Sequence, residues 1–179
     1  QEAGEKLLAD EAVDLIVGNN RKGQIVEVLD EYFKGRNIED SFIDINKTKE
    51  YEKLEINASL SHTRAYIKIQ DGCNQFCTYC IIPFARGRVR SRNAESIIKE
   101  ITQIAQNGIK EVVITGIHVA SYGKDFKENY GLIDLLEDLN KIEGIERIRL
   151  SSIEPLILDE QFINRLSKLE KICHNFHLS

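Results

Sequence analysis

A chain of 179 residues with 42% hydrophobic and 30% charged residues holds enough apolar material for one domain and part of a neighbour. No apolar run approaches the roughly 18–20 residues that cross a bilayer, and no basic-then-apolar leader opens the sequence, so no membrane contact and a cytoplasmic location are expected. The net charge of −5 excludes a generally basic nucleic-acid coat, yet residues 61–92 carry Arg64, Lys68, Arg86, Arg88, Arg90 and Arg92 against Asp71, a local +5 on a body of −10. Such a strip suits local contact with a polyanion, or a solvated segment tied up in salt bridges.

The chain starts at Gln1, lacks Met and stops inside the strand-like "HNFHLS", and is read as an interior piece of a longer protein. Residues 2–9 and 24–34 are expected to be helical. They flank "AVDLIVGNN", where the apolar run Val13 to Val17, interrupted by Asp14, ends at Gly18 and two Asn, predicting a strand and a turn. Residues 35–60 are polar and irregular and predict a connector with one short strand at Ser41–Ile45. A boundary near residue 60 would divide 1–60, the tail of an α/β domain plus linker, from a second unit at 61–179.

Beyond that point "RAYIKIQ" alternates as a strand. A helix is predicted from Asn93, an N-cap with Glu95 in its first turn and Gly108 past its end, its apolar face made by Ile97, Ile98, Ile101, Ile104 and Ala105. "EVVITG" reads as a strand buried on both faces. Leu132, Leu135, Leu136 and Leu139 predict the next helix, closed by Gly144, and "RIRLSS" a third strand. Asp159 caps a third helix lined by Phe162, Ile163, Leu166 and Leu169, and "NFHLS" starts a fourth strand. Alternating strands and helices make the expected fold class α/β, a parallel sheet with helices outside. Four strands cannot close a barrel, so the alternatives are half of a (β/α) barrel or an open sheet. Either one gathers ligands at the carboxyl ends of its strands, where the cysteine loop, "TGIHVASYGKD" and "SSIEP" fall.

Cys73, Cys77 and Cys80 have the spacing C-x3-C-x2-C. An odd count in so small a loop argues against disulfides, and metal is the natural partner of clustered thiolates. A structural zinc site needs four ligands, and only the distant His62, His118 and Cys173 are candidates for the fourth. Three thiolates suit an iron–sulfur cube with one iron left open, and the spacing favours that group over zinc.

This loop, placed at the end of the strand "AYIKIQ", resembles the signature of the radical S-adenosylmethionine (SAM) enzymes. The resemblance implies a partial (β/α) barrel and a 4Fe–4S cluster on Cys73, Cys77 and Cys80. SAM would chelate the fourth iron, with Tyr79 packing by its adenine, and one-electron cleavage would yield a 5′-deoxyadenosyl radical. "IKIQDGCNQFCTYCIIPFARGRVRSR", "VVITGIHVASYG" and "RIRLSSIEP" are further similar to the methylthiotransferase branch, within it to enzymes acting on N6-threonylcarbamoyladenosine beside the tRNA anticodon. "AVDLIVGNN" resembles the end of that branch's amino-terminal domain. The resemblance implies two SAM molecules per turnover and an electron donor of flavodoxin or ferredoxin type. It also implies a second 4Fe–4S cluster, on three cysteines that residues 1–60 do not contain.

Other residues follow from position and resemblance. Arg86, Arg88, Arg90 and Arg92 alternate, so an extended segment puts all four on one side, for phosphate contact with the tRNA anticodon loop or, for one of them, pairing with the SAM carboxylate. Alternatively Arg86 and Arg92 pair internally and hold the loop. Thr115 and Gly116 occupy the place where many radical SAM proteins carry a Gly-Gly-Glu stretch binding the methionine amino group, though no carboxylate follows here. Ser152 and Glu154 end the third strand, within reach of SAM or substrate, or simply form the turn before Pro155. His118 lies in a strand-end loop, one of the pairs His177/Ser179 and Phe176/Leu178 faces the lumen, and Cys173 reads as a small core residue.

The leading functional reading is insertion of a methylthio group at C2 of N6-threonylcarbamoyladenosine in tRNA, a position whose C–H is not acidic enough for base catalysis. The alternatives are methylthiolation of isopentenyladenosine in tRNA or of a ribosomal-protein aspartate, and, from another class, a zinc-stabilised RNA-binding module.

Overall fold

A computed structural model describes residues 6–7, 9–35, 45–52 and 63–179. Its elements in chain order are α1 (Ile25–Phe33), β1 (Ala65–Asp71), the short α2 (Ile82–Ala85), β2 (Arg90–Ser91), α3 (Ala94–Gln106), β3 (Glu111–Gly116), α4 (Leu132–Asn140), β4 (Arg147–Leu150) and α5 (Glu160–Leu166). The sheet runs β2-β1-β3-β4. β1, β3 and β4 are parallel, in a register that pairs Ala65 with Val112 and Val112 with Ile148. The long helices between them return the chain to the same edge, as parallel pairing requires.

Local chemistry sets the helix starts. The Asn93 side chain accepts the Ser96 N–H at 3.1 Å, and Asp159 accepts that of Phe162 at 2.7 Å, each meeting a donor that the first turn leaves free. Ile97, Ile101 and Ile104 of α3 and Leu132, Leu135, Leu136 and Leu139 of α4 are buried against Ile67, Ile69, Val112, Ile114, Ile148 and Leu150 of the sheet. Each fully buried Ile or Leu contributes about 2 kcal/mol of apolar transfer energy, which ties the helices down and leaves the strand ends to position the loops. Among the described residues no helix is long and apolar enough to cross a membrane.

Three elements differ from the sequence expectation. Val13–Val17 forms no strand, because it meets no neighbouring strand among the described residues. "NFHLS" is not a continuous strand: it touches the loop after β4 through one isolated parallel bridge, Ile153 to Leu178, and a second such bridge, Ile148 to Ile172, precedes it. Between them Asn175 turns aside to accept Arg149 Nη1 at 3.2 Å. The edge strand β2, antiparallel to β1, has no periodic signature, since both of its residues are polar and buried. The expected helix at 2–9, the strand at Ser41–Ile45, the boundary near residue 60 and His62 fall wholly or largely outside the described residues.

The amino-terminal segments rest on the foot of the cysteine loop. Asn19 Nδ2 donates to Ala85 O at 2.9 Å, Tyr51 Oη donates to Lys68 O at 2.8 Å, and Ile45 is buried. On the far side, beyond β4, Leu158, Ile163, Leu166, Leu169, Phe176 and Leu178 line an apolar groove of about 540 Å³.

Candidate functional site

Three loops leave the carboxyl edge: 72–89 after β1, 117–131 after β3 and 151–159 after β4. The first begins at Gly72, where φ is +72° and an added Cβ would lie 1.9 Å from Arg88 O. Only glycine permits this approach, and it lets Cys73 N–H bond to Gly87 O at 3.1 Å, closing the loop at its foot. Asn74 Oδ1 accepts Val89 N–H and adds a second closure.

Asp71 governs that foot. Its carboxylate accepts Gly72 N–H at 2.8 Å, both Nε and Nη2 of Arg86 at 3.1 and 2.7 Å, and Lys68 Nζ at 2.6 Å, with Arg90 at 3.8 Å. Burial opposes ionisation, but the hydrogen bonds from Arg86 and Lys68 outweigh it and hold the carboxyl below its ordinary range. Burial lowers the Lys68 pKa more than Asp71 restores it. Burial also pushes Tyr51, which covers Lys68 O, up to about 12.

The arginines do not share one face, which corrects the expectation from their alternation. Arg86 caps α2, Gly87 turns with φ +74°, and only Arg90–Ser91 is extended. Arg90 and Arg92 are 1% and 3% exposed, so neither reaches a phosphate in solution. Arg90 donates to Arg86 O and Arg88 O, and Arg92 pairs with the buried Glu100 and with Ser96 Oγ. Arg86 and Arg92 thus make the internal pairing weighed above. Arg88 is exposed, makes no ion pair among the described residues, and stacks 4.3 Å over the Phe76 ring.

Phe76 is the one non-glycine among the described residues with positive φ, at 50°. Arg88 on its face and Phe84 edge-on at 5.8 Å hold it there, contacts that offset the steric cost of the left-handed region. Cys73 is buried, Cys77 exposed and Cys80 half-buried, all three as free thiols, with Cys80 N–H on Cys77 O at 2.9 Å. Tyr79 is 92% exposed. The donor set fits an iron–sulfur group in kind: three soft thiols on one loop, the first already receiving an N–H from Gln75 at 3.5 Å. The three sulfurs are not gathered into a ligand set among the described residues.

The remaining candidates stand at the same edge. Thr115 and Gly116 end β3, half-buried, and a Cβ on Gly116 would press to 3.0 Å from Gln70 O. Glu154 Oε2 meets His118 Nε2 at 2.9 Å and Gln75 Nε2 at 3.3 Å, joining the three loops. Glu154 also precedes a 3-10 turn at Pro155–Ile157, so both readings of this residue apply. Ser152 Oγ lies 3.1 Å from His177 Nδ1. Ser179 N–H donates to Ile153 O at 3.2 Å, and Cys173 sits half-buried beside β4, its N–H on Ile148 O. Sequence reasoning missed Gln70, Asp71, Asn74 and Gln75. Gln70 is fully buried in β1, whose sequence AYIKIQD also carries Lys68 and Asp71, so no apolar pattern singled it out.

The radical SAM superfamily pattern matches residues 67–179. The chain is 40% identical over 174 residues to the threonylcarbamoyladenosine tRNA methylthiotransferase MtaB of Bacillus subtilis, covering 97% of this chain and 38% of that protein. It is 42% identical over 167 residues to MtaB of Aquifex aeolicus, covering 93% and 40%. To the tRNA-2-methylthio-N(6)-dimethylallyladenosine synthase of Alkaliphilus oremlandii it is 40% identical over 168 residues, covering 93% and 35%. The chain therefore spans only about two fifths of these curated relatives or less. Among solved structures, the radical S-adenosylmethionine methyltransferase TsrM from Kitasatospora setae, with tryptophan and a SAM analogue bound, superposes with a TM-score of 0.63 at 15% identity, over 91% of this chain and 36% of that one. That likeness concerns the fold, a mixed sheet with helices that makes the first half of a (β/α) barrel. With the pattern covering more than half of its length, the chain belongs to the radical SAM superfamily.

Proposed function

We propose that this chain is the front half of the catalytic barrel of a methylthiotransferase that modifies adenosine beside the tRNA anticodon, with N6-threonylcarbamoyladenosine as substrate. The observation that carries the reading is the C-x3-C-x2-C loop at the carboxyl end of β1 in a chain 40% identical, over 97% of its length, to a relative of that name. Cys73, Cys77 and Cys80 would hold a 4Fe–4S cluster, which supplies the electron for reductive cleavage of SAM. Cys73 is fixed by the foot of the loop, and Cys77 and Cys80 stand on its open arm. Exposed Tyr79 offers a ring for the SAM adenine, and Thr115, Gly116, Ser152 and Glu154 face the same edge for its polar groups. Arg88 is the residue of the basic strip left for RNA phosphate. The tRNA, an electron donor of flavodoxin or ferredoxin type, and a second 4Fe–4S cluster outside this chain complete the proposed system, which acts in the cytoplasm with its substrate.

Anaerobic reconstitution of the full-length protein tests the reading. A brown protein absorbing near roughly 400 nm and cleaving SAM on reduction is expected, with both properties lost in Cys77→Ala. A colourless protein holding tetrahedral zinc overturns it in favour of a structural RNA-binding module. The relative acting on dimethylallyladenosine, also 40% identical, keeps a second tRNA substrate in view. Mass spectrometry of anticodon-loop nucleosides from cells lacking the protein decides between the two: loss of the methylthio form of threonylcarbamoyladenosine alone is expected.

A further inference from the structure

A closed hydrogen-bonded ring passes through Cys73. Gln70, at the end of β1 and fully buried, donates from Nε2 to Gly72 O at 2.7 Å and accepts His118 N–H on Oε1 at 2.8 Å. His118 Nε2 meets Glu154 Oε2 at 2.9 Å, and the same oxygen accepts Gln75 Nε2 at 3.3 Å. The Gln75 main-chain N–H reaches Cys73 Sγ at 3.5 Å, and the peptide joining Gly72 to Cys73 closes the circuit. A carboxylate only accepts, so the His118 proton sits on Nε2, and in the neutral ring Nδ1 accepts the buried Ser121 hydroxyl at 2.7 Å. Every link on the His118 side is therefore directional.

From this geometry we propose that His118, Glu154 and Gln75 are positioning residues. They aim the Gln75 N–H at Cys73 Sγ and thereby set the electron density on the first of the three proposed cluster thiolates. Gln75 is an exposed residue on the open arm of the loop, where all of 74–79 are exposed, and its main chain has no helix or strand to fix it. Its amide grip on Glu154 supplies that constraint, from a loop 79 residues away in sequence. An N–H directed at a thiolate stabilises its negative charge, and hydrogen bonds to sulfur are among the factors that set iron–sulfur potentials. The loop after β4 would in this way control the readiness of the centre to take an electron without touching it. The part of the inference that concerns the potential rests on the cluster reading above; the part that concerns the thiol does not.

Two readouts on the full-length protein separate these parts. In the metal-free protein, alkylation of Cys73 by iodoacetamide at neutral pH, followed by peptide mass spectrometry with exposed Cys77 as internal reference, should slow by about threefold in Glu154→Ala and in Gln75→Leu, because one lost hydrogen bond to sulfur leaves less of the reactive thiolate. In the reconstituted protein the midpoint potential of the cluster should move to more negative values in the same variants. Pairing His118→Ala with Glu154→Ala should add little, since both act through Gln75. Gln75→Leu, at an exposed position, guards against the possibility that Glu154→Ala misfolds. An unchanged potential in Gln75→Leu overturns the proposal, as does faster alkylation, which would make the ring a mere shield over the thiol. A protein that takes up no cluster overturns the cluster reading instead, and unaltered alkylation then overturns the ring as well.

Discussion

The foot and the tip of the cysteine loop are built on opposite plans. At the foot, Gln70, Asp71, Gly72 and Cys73 are buried and nearly every polar atom is engaged, by Arg86, Lys68, Gly87 and His118. One residue further on the burial ends: positions 74–79 are all exposed, and Phe76 is held at positive φ by two side chains alone. The difference shows where order is imposed before any ligand arrives. The foot fixes where the loop leaves the sheet, while the tip keeps its thiols and Tyr79 free to close on a partner, so ordering the tip is a cost met on binding.

Substitutions on either side of that division test it. The largest effect is expected from Gly72→Ala, whose methyl would stand 1.9 Å from the Arg88 carbonyl at a φ that L residues avoid. It should lower stability by about 3 kcal/mol or more, read as a shift in the urea midpoint of the full-length protein, and a loss below about 1 kcal/mol would mean that the foot is not rigid. Asp71→Asn comes next, since it leaves Arg86, Arg90 and Lys68 around a neutral group; about 3 kcal/mol is the usual cost of breaking a buried ion pair. The sign with pH follows from the depressed pKa of Asp71. Its contribution is fully present above the ordinary value of 3.8 and fades as pH falls through its lower folded value, so the Asn variant should flatten the acid limb of the stability curve.

At the tip the effects shrink. Arg88→Gln removes the cation over Phe76, worth about 0.5–1 kcal/mol at an exposed site. It should also reduce the salt dependence of tRNA affinity by about one phosphate contact. Tyr79→Ala is expected to leave the thermal midpoint within the scatter of surface substitutions, about 0.5 kcal/mol, while weakening SAM binding measured by calorimetry. A clear loss of stability there would show that the tip is packed before ligand binds.

The fold was legible wherever a local signal decided the structure. The caps Asn93 and Asp159 and the apolar faces of Ile97, Ile101, Leu135 and Leu139 need only neighbours within one or two turns to act. The cysteine spacing was equally local. What the sequence hid depends on partners far apart in the chain. Alternation put four arginines on one side, but a capping Arg86 and a turning Gly87 break the segment, and buried Asp71 and Glu100 draw Arg86, Arg90 and Arg92 inward. Glu154 and His118 were separate candidates, and only the meeting of three loops makes them one network with Gln75. Val13–Val17 has the composition of a strand, yet a strand exists only where another lies beside it.

The sheet has two unlike margins. Along β1 the short β2, with Arg90 and Ser91 both buried, terminates backbone pairing after two residues. Along β4 the two isolated bridges replace a continuous strand, and the apolar groove leaves oily side chains available. Lateral growth is therefore polarised. Among the described residues a new ribbon is accepted more readily on the β4 flank, and an isolated preparation of these residues would be expected to stick to itself through Phe176 and Leu178 rather than through the arginine-sealed side.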